Sequence, residues 1–430
     1  MPHDTRPTGV PYSDAVADQL SGYRGAVFLV ADHPWPSTSG GRARDASRAA
    51  ALATLGPLTV LALDTPQPPT AWAGALGRYW RRRRRQPIRI WDLLVGILRG
   101  NHVALQRATA AGLPAALDAV LADLRPSVVV LGRPFFGSFI AAARRSGACV
   151  IVDADESLDR VSRSVLGSRA PLAARARALL DLLAVGRMER RDFPTADEVW
   201  AGSETERSAL ARAAAPTAVR VVPNVAPLAV AEPPTEPGPI RQVAFVGSYT
   251  HPPNEEAAIE LLKSTMTAIR AAGGPHELVL IGRDPTPRMR RLAAADPAVT
   301  IAANVADVGV PLLAAGVLVM PIRSGGGSRI KALEAVAIGV PVVSTSFGIA
   351  GLELRPGIDV LVAETAAEFA EAVRRLQADP GLRESLIANA RESVAAHHSP
   401  AAVQAAVATA VERCQPTGLE PIERSSVSVS

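Results

Sequence analysis

Cysteine is nearly missing from this chain: Cys149 and Cys414 are the only two in 430 residues. So few, so far apart in sequence, with Cys149 inside an apolar run, indicate neither a disulfide framework nor a cysteine metal cluster. The expectation is two reduced thiols in a reducing cytosol. Long apolar runs are missing too. No uninterrupted stretch approaches the roughly 20 residues of a membrane-spanning helix, and the first 22 residues carry Asp4, Asp14 and Asp18 with no apolar core of a signal peptide. A cytoplasmic protein, soluble or peripheral on the inner membrane face, is expected. Lysine is scarce as well: Lys263 and Lys331 are the only two among 46 basic residues. Aromatics make up 4% and alanine is abundant, a composition that suits helices packed on parallel sheets.

The length argues for two domains of about 200 residues each. Order begins at 25–32, Gly-Ala-Val-Phe-Leu-Val-Ala-Asp, which reads as a buried strand. A loop with Gly40 and Gly41, a helix from about Arg42 to Leu55 and a strand 58–63 complete a βαβ unit. The glycines then sit at the carboxyl edge of the first strand, where open α/β sheets bind ligands. Strands at 127–131 and 148–153 follow, placing Arg133 just past one and Asp153 at the end of the other, so both are expected to point into one cleft. Asp153-Ala-Asp155 has the form of a DxD metal motif, a reading rejected because the other landmarks belong to a different architecture. Beyond a long helical region come a strand at 198–203, a helix with Ser203 and Glu206 spaced as a capping box, and Val219–Val225.

Residues 226–239 are proline-rich and read as a linker. A second Rossmann-like unit opens at Val243, with Gly247 at the end of its first strand. No Gly-x-Gly-x-x-Gly follows the first strand of either half, which disfavours a nicotinamide dehydrogenase. From 72 to 99 the character changes: Trp72, Tyr79, Trp80 and Trp91 flank an unbroken Arg81–Arg85 block, with aliphatics behind. That pattern fits either a segment lying on an anionic membrane surface or a solvated helical insertion. It lacks any nucleic-acid-binding motif, so no nucleic acid partner is expected.

The chemistry concentrates in residues 316–344. An apolar strand closed by Pro321 leads into Gly325-Gly326-Gly327-Ser328, then Arg329-Ile-Lys331-Ala-Leu-Glu334-Ala, a glycine stop and a second apolar strand. Three glycines allow sharp turning and close backbone approach. Ser328 is the expected N-cap. The helix after it aims its free N–H groups and positive dipole end at the loop, which is a site for an anion, best a diphosphate. Lys331 and Glu334, three apart, share a face: a cation for phosphates and a carboxylate able to accept from ribose hydroxyls, or else a plain surface pair.

The run Gly-Gly-Gly-Ser-Arg-Ile-Lys-Ala-Leu-Glu-Ala with Gly-Val-Pro-Val-Val-Ser-Thr resembles the donor-site segment of GT-B glycosyltransferases, specifically the retaining family four (group 1 type), in a subgroup with a glycine triplet. Many members carry two glutamates eight positions apart; Glu334 matches the second, while Gly326 stands at the first. Pro34-Trp-Pro with Gly40-Gly-Arg42 resembles the family's N-terminal loop, which faces the donor phosphates across the cleft. Relatives often place an arginine and a lysine after the glycine matching Gly247. Ser248 and Tyr249 stand there instead, moving the cationic work to Arg329 or Lys331.

What the resemblance implies is an α/β, GT-B fold of two Rossmann-like domains. The expected bounds are a tail at 1–23, an acceptor domain at 24–225 with the 72–99 insertion, the linker 226–239, a donor domain at 240–398, a return helix at 399–414 crossing to the first domain, and a tail at 415–430. The implied activity is transfer of a sugar from a nucleotide-diphosphate sugar, with retention, no metal and no cofactor beyond the sugar nucleotide. Lys331 and Arg329 would stabilise the leaving diphosphate, Arg133 and Asp153 would position an acceptor, and Gly40, Gly41, Gly247, Gly325, Gly326, Gly327, Ser328 and Glu334 would bind the donor. A sugar-nucleotide epimerase and a GT-B domain that binds without turnover remain as alternatives, the latter because of Gly326 and the missing basic pair.

Overall fold

A computed structural model describes residues 23–31, 34, 40–63, 75–80, 91, 95, 97, 112–167, 172–226, 239–305, 307–326 and 329–414. Two parallel sheets organise them. The first carries β1 (Ala26–Val30), β2 (Leu58–Leu63), β3 (Ala75–Trp80), β4 (Val128–Leu131), β5 (Cys149–Asp155), β6 (Glu198–Ala201) and β7 (Ala218–Val221) in the order β3-β2-β1-β4-β5-β6-β7. The second carries β8 (Gln242–Ser248), β9 (Glu277–Arg283), β10 (Val299–Ala303), β11 (Gly316–Met320), β12 (Val342–Ser344) and β13 (Leu361–Val362) in the order β10-β9-β8-β11-β12-β13.

The central strands are apolar along their whole length, as strands covered by helices on both faces must be. Every residue of β1, β4 and β11 is buried. Chain order reverses between β1 and β4 in one sheet and between β8 and β11 in the other. At such a switch point neighbouring loops leave in opposite directions and open a crevice beyond the strand ends. The loops after β8 and β11, and the start of the helix after β1, are therefore the places where a ligand fits.

The helices used below are α1 (Gly40–Ala53), α2 (Leu113–Leu124), α3 (Ile140–Arg145), α4 (Leu158–Leu166), α5 (Leu172–Asp192), α6 (Glu204–Ala214), α7 (Pro252–Glu260), α8 (Met266–Ala271), α9 (Pro287–Ala294), α10 (Gly309–Ala315), α11 (Ile330–Ala337), α12 (Ser346–Ile349), α13 (Ala366–Ala378), α14 (Pro380–His397) and α15 (Pro400–Arg413). The last returns to the first sheet. Val403, Val407, Ala410 and Val411 recur at helical spacing and bury against Ala49 and Leu52 of α1. Each fully buried valine contributes about 1.5–3 kcal/mol relative to an exposed one.

Several expectations are corrected. The two cysteines are joined, Cys149–Cys414, with Cα atoms 5.6 Å apart across 265 residues of sequence. The return helix ends beside the start of β5, which no local pattern around either cysteine could reveal. This pairing removes cysteine usage as an argument for a reducing compartment. Residues 75–80, inside the expected insertion, form an edge strand parallel to β2 rather than part of a helix. The block 81–85 lies outside the described residues, as do most of the linker and both tails.

The long helical region divides into α4 and α5. At the start of α6 only half of the capping box forms. Ser203 Oγ accepts from the N–H of Glu206 at 3.3 Å, while the Glu206 carboxylate turns instead to the N–H of Ser157 at 3.0 Å and to Arg160. Among the described residues no helix is long and apolar enough to cross a membrane.

Candidate functional site

The edges of the two sheets face each other across a cleft of about 760 Å³. The second domain supplies Gly247 and Ser248 from β8, His251 and Asn254 from the turn into α7, Gly326 and Arg329 from the loop after β11, and Lys331 and Glu334 from α11; the first supplies Gly40 and Gly41. A Cβ placed on Gly40 would lie 3.5 Å from the Ile330 side chain, so the first turn of α1 looks straight at the first turn of α11. Two helix N-termini thus converge on one space, each with the positive end of its dipole.

The helix after β11 begins at Ile330, with Arg329 at the N-cap in the left-handed conformation (φ 46°). This corrects the expectation of Ser328 as N-cap; Ser328 and Gly327 lie outside the described residues. The turn brings the Arg329 guanidinium over the Phe347 ring at 5.2 Å, and its Nε donates to the Phe347 carbonyl at 3.2 Å. Burial, then the charge of Arg160, lowers its pKa to about 10. It stays cationic at neutral pH.

Lys331 is partly buried in the cleft wall. Its Nζ donates to Oδ1 of Asn254 at 2.6 Å and lies 4.8 Å from the centre of the Phe245 ring. Desolvation is the largest influence on it, against the attraction of Glu334, and the pKa falls to about 7. Glu334, one turn along the same face, is raised by burial against the pull of Lys331. A ligand carrying phosphate near Lys331 would give the ammonium a counter-charge, and hydroxyls near Glu334 would give its carboxylate hydrogen-bond donors.

Asn254 and His251 line the cleft although the sequence did not single them out. Desolvation by the cleft walls, with the nearby Lys331 charge, holds the His251 imidazole down to about 4, leaving it neutral. Its sequence neighbours Pro252 and Pro253 fix the start of α7. That is the only local signal for the pair, and it indicates position rather than chemistry. Tyr249, where the resemblance leads one to expect a cation, turns into the core and donates to the Ile281 carbonyl at 3.0 Å.

In the first domain the two expected acceptor residues part company. Asp153 does not line the cleft: it is fully buried beneath α1, 3.5 Å from Nε of Arg48 and 3.9 Å from Nη1 of Arg44. Arg48 also donates to the carbonyls of Val222 and Pro223 at 2.6 and 2.7 Å, and Arg44 pairs with Asp155 at 2.9 Å. Arg133 lies against Gly41 of the cleft wall, where a Cβ on that glycine would lie 3.5 Å from its Nη2. It is clamped there by a bidentate pair to the buried Asp45, 2.7 Å on each arm. Strand-end position alone cannot separate the two, because which side of the sheet a side chain takes depends on what α1 offers it.

Residues 240–379 match the family model described as glycosyl transferases group 1, so the second domain is of that type. A search of curated protein sequences finds no match. Among solved structures, a sucrose-phosphate synthase from Thermosynechococcus elongatus is similar at 20% identity with a TM-score of 0.68, covering 90% of this chain and 98% of that one. HepE from Anabaena, solved with UDP and glucose, is 12% identical over 90% of this chain and 98% of its own, TM-score 0.60. A glycosyltransferase from Rickettsia africae ESF-5 is 12% identical over 92% and 100%, TM-score 0.59. The fold is that of the GT-B glycosyltransferases, α/β with two Rossmann-like domains.

Proposed function

Taking the second domain as a group 1 glycosyltransferase domain on a GT-B fold, we propose that this chain moves a sugar from a nucleotide-diphosphate sugar to an acceptor bound mainly on the first domain. The observation that carries the proposal is the face of α11. Its N-terminus, Arg329 and Lys331 gather positive charge opposite Gly40 and Gly41, and Glu334 waits one turn further along. The diphosphate lies across the helix N-terminus, and Glu334 accepts hydrogen bonds from the ribose hydroxyls.

Transfer breaks the bond between the anomeric carbon and the leaving phosphate oxygen. Charge grows on the diphosphate as it leaves, and fixed N–H groups with the two cations stabilise that charge more than the ground state. The resemblance of the 325–344 segment to retaining enzymes supports reaction on one face of the sugar. The acceptor oxygen bonds to the anomeric carbon, and its proton passes to the leaving phosphate oxygen. In this reading the charge is handled by side chains and backbone, with no metal. Arg133, held by Asp45 at the cleft wall, orients the acceptor. HepE, crystallised with UDP and glucose, supports a nucleotide-sugar donor here, and the Arg81–Arg85 block supports peripheral attachment to an anionic membrane surface.

The test is incubation with UDP-, GDP-, ADP- and TDP-sugars in the presence of candidate glycan, lipid-linked and small-molecule acceptors. Release of one nucleoside diphosphate with a glycosylated product of unchanged anomeric configuration supports the proposal. Tight donor binding without release from any pair would leave the binding-only alternative.

A further inference from the structure

The short connection between β5 and α4 carries Glu156. Two buried carboxylates hold the residues just after it: Glu206 accepts from the N–H of Ser157 at 3.0 Å, and Glu189 accepts from the N–H of Leu158 at 2.9 Å. From this pinned turn the first domain reaches over to the glycine loop of the second. The N–H of Gly325 donates to Oγ of Ser164 at 2.8 Å. A Cβ on Gly326 would come within 2.7 Å of Cδ of Glu156, nearer still to its Oε2, and would also strike Val161. Only glycine at 326 admits this carboxylate.

The position along the cleft says what the carboxylate meets. Glu334 lies one turn inside α11, Lys331 nearer its start, Arg329 at the N-cap and Gly326 beyond it. A nucleotide sugar laid with its ribose at Glu334 and its diphosphate at the helix N-terminus must carry its sugar past Arg329 towards Gly325 and Gly326. Arg329 borders both the large cleft and the smaller chamber that Glu156 lines with Asp155, Glu206 and Asn224. A carboxylate accepts from several hydroxyls and repels phosphate, so at this end of the donor it selects sugar.

Resting on the proposed function, we infer that Glu156 is a donor-sugar-binding residue: the first domain delivers its carboxylate across Gly326 to accept hydrogen bonds from hydroxyls of the transferred sugar. Gly325 and Gly326 are then the opening through which one domain completes the donor site of the other, and the site is whole only when both domains meet.

Calorimetry of wild type, Glu156→Gln, Gly326→Ala and the double variant, with UDP, GDP, ADP and TDP and with UDP-glucose, GDP-mannose, ADP-glucose and TDP-glucose, tests this. The conjugate that wild type prefers should bind more tightly than its bare diphosphate. Glu156→Gln should erase about tenfold or more of that margin, as expected for a charged hydrogen bond, while diphosphate affinity changes by no more than about twofold. Gly326→Ala, whose methyl displaces the carboxylate, should lose the same margin, and the double variant should lose no more than either single one.

A margin untouched by Glu156→Gln, or conjugate and diphosphate affinities falling together with the melting temperature, would overturn the inference and make Glu156 a brace between Arg160 of its own domain and Arg329 of the other. Glu156→Asp separates folding from recognition: a folded variant with the full margin retained also contradicts the role of carboxylate reach. Absence of any nucleotide binding by wild type overturns the proposed function itself, and this inference with it.

Discussion

Lys331 and Asn254 are joined by a 2.6 Å hydrogen bond that fixes the ammonium in the cleft wall, close to the N-terminus of α11. Burial holds its pKa near 7 in the free protein. A bound diphosphate restores the charged form, so binding above pH 7 must take up a proton, and affinity must fall as pH rises towards 10. Titration calorimetry at pH 8 in phosphate and Tris buffers should show uptake approaching one proton, shrinking by pH 6 and lost in Lys331→Met. Uptake that persists in Lys331→Met would assign the titration to another group.

Glu189 supports the turn that presents Glu156, and burial raises its pKa to about 7. A raised carboxylate pKa means the folded state holds a proton that the unfolded chain has released between about pH 4.5 and 7. Its stabilising effect is therefore full below pH 4.5 and is lost as pH rises through 7, by at most about 3 kcal/mol. Melting temperatures measured from pH 4.5 to 8 should carry this decline in wild type and lose that component in Glu189→Gln. Parallel curves for the two proteins would refute the assignment.

Asp153 neutralises Arg48 and shares Arg44 beneath α1. Removing it strands buried positive charge, at a cost of about 3–5 kcal/mol. Asp153→Ala should therefore lose cooperative stability in urea before any specific effect on acceptor use, whereas Arg133→Ala, at the cleft wall, should raise the acceptor KM with a smaller loss. A stable Asp153→Ala protein with selectively impaired acceptor use would return Asp153 to the role that its strand-end position suggested.

The Cys149–Cys414 link closes a loop of 265 residues between β5 and the end of the return helix. Such a long closure contributes roughly 2–5 kcal/mol by restricting the unfolded chain. Non-reducing peptide mapping should recover the linked pair, and Cys414→Ser should melt at a lower temperature than the oxidised wild type. Equal melting temperatures would indicate that the packing of Val407 and Val411 on α1 secures the helix unaided.

Much of the architecture was legible because parallel strands announce themselves as apolar runs, and because Gly-Val-Pro after α11 marks the return to the sheet. That Lys331 and Glu334 share the cleft side of α11 was legible for a related reason: on one helix, spacing alone sets which residues share a face. Pairings across the chain were not. Nothing near Gly326 indicates that Glu156, 170 positions earlier, will stand against it, and nothing near Cys149 indicates Cys414. Asp153 and Arg133 looked alike because both end strands; Arg44 and Arg48 above them decided that one is buried structure and the other cleft wall. His398, at the end of α14, is a further pairing that local sequence does not show. It sits buried at the crossing, with Nδ1 2.7 Å from the Asn224 carbonyl oxygen and Nε2 2.7 Å from Glu353.

In the proposed function α11 binds a nucleotide-diphosphate sugar through Glu334 and its N-terminus. The most direct test is calorimetric titration of UDP-, GDP-, ADP- and TDP-sugars into wild type and Glu334→Ala. One donor should bind wild type with about micromolar affinity, and Glu334→Ala, with an unchanged melting curve, should weaken it about tenfold or more, as loss of a charged hydrogen bond requires. Equal affinity in the two proteins would remove Glu334 from ribose recognition, and no binding of any donor to wild type would rule out the proposed sugar transfer.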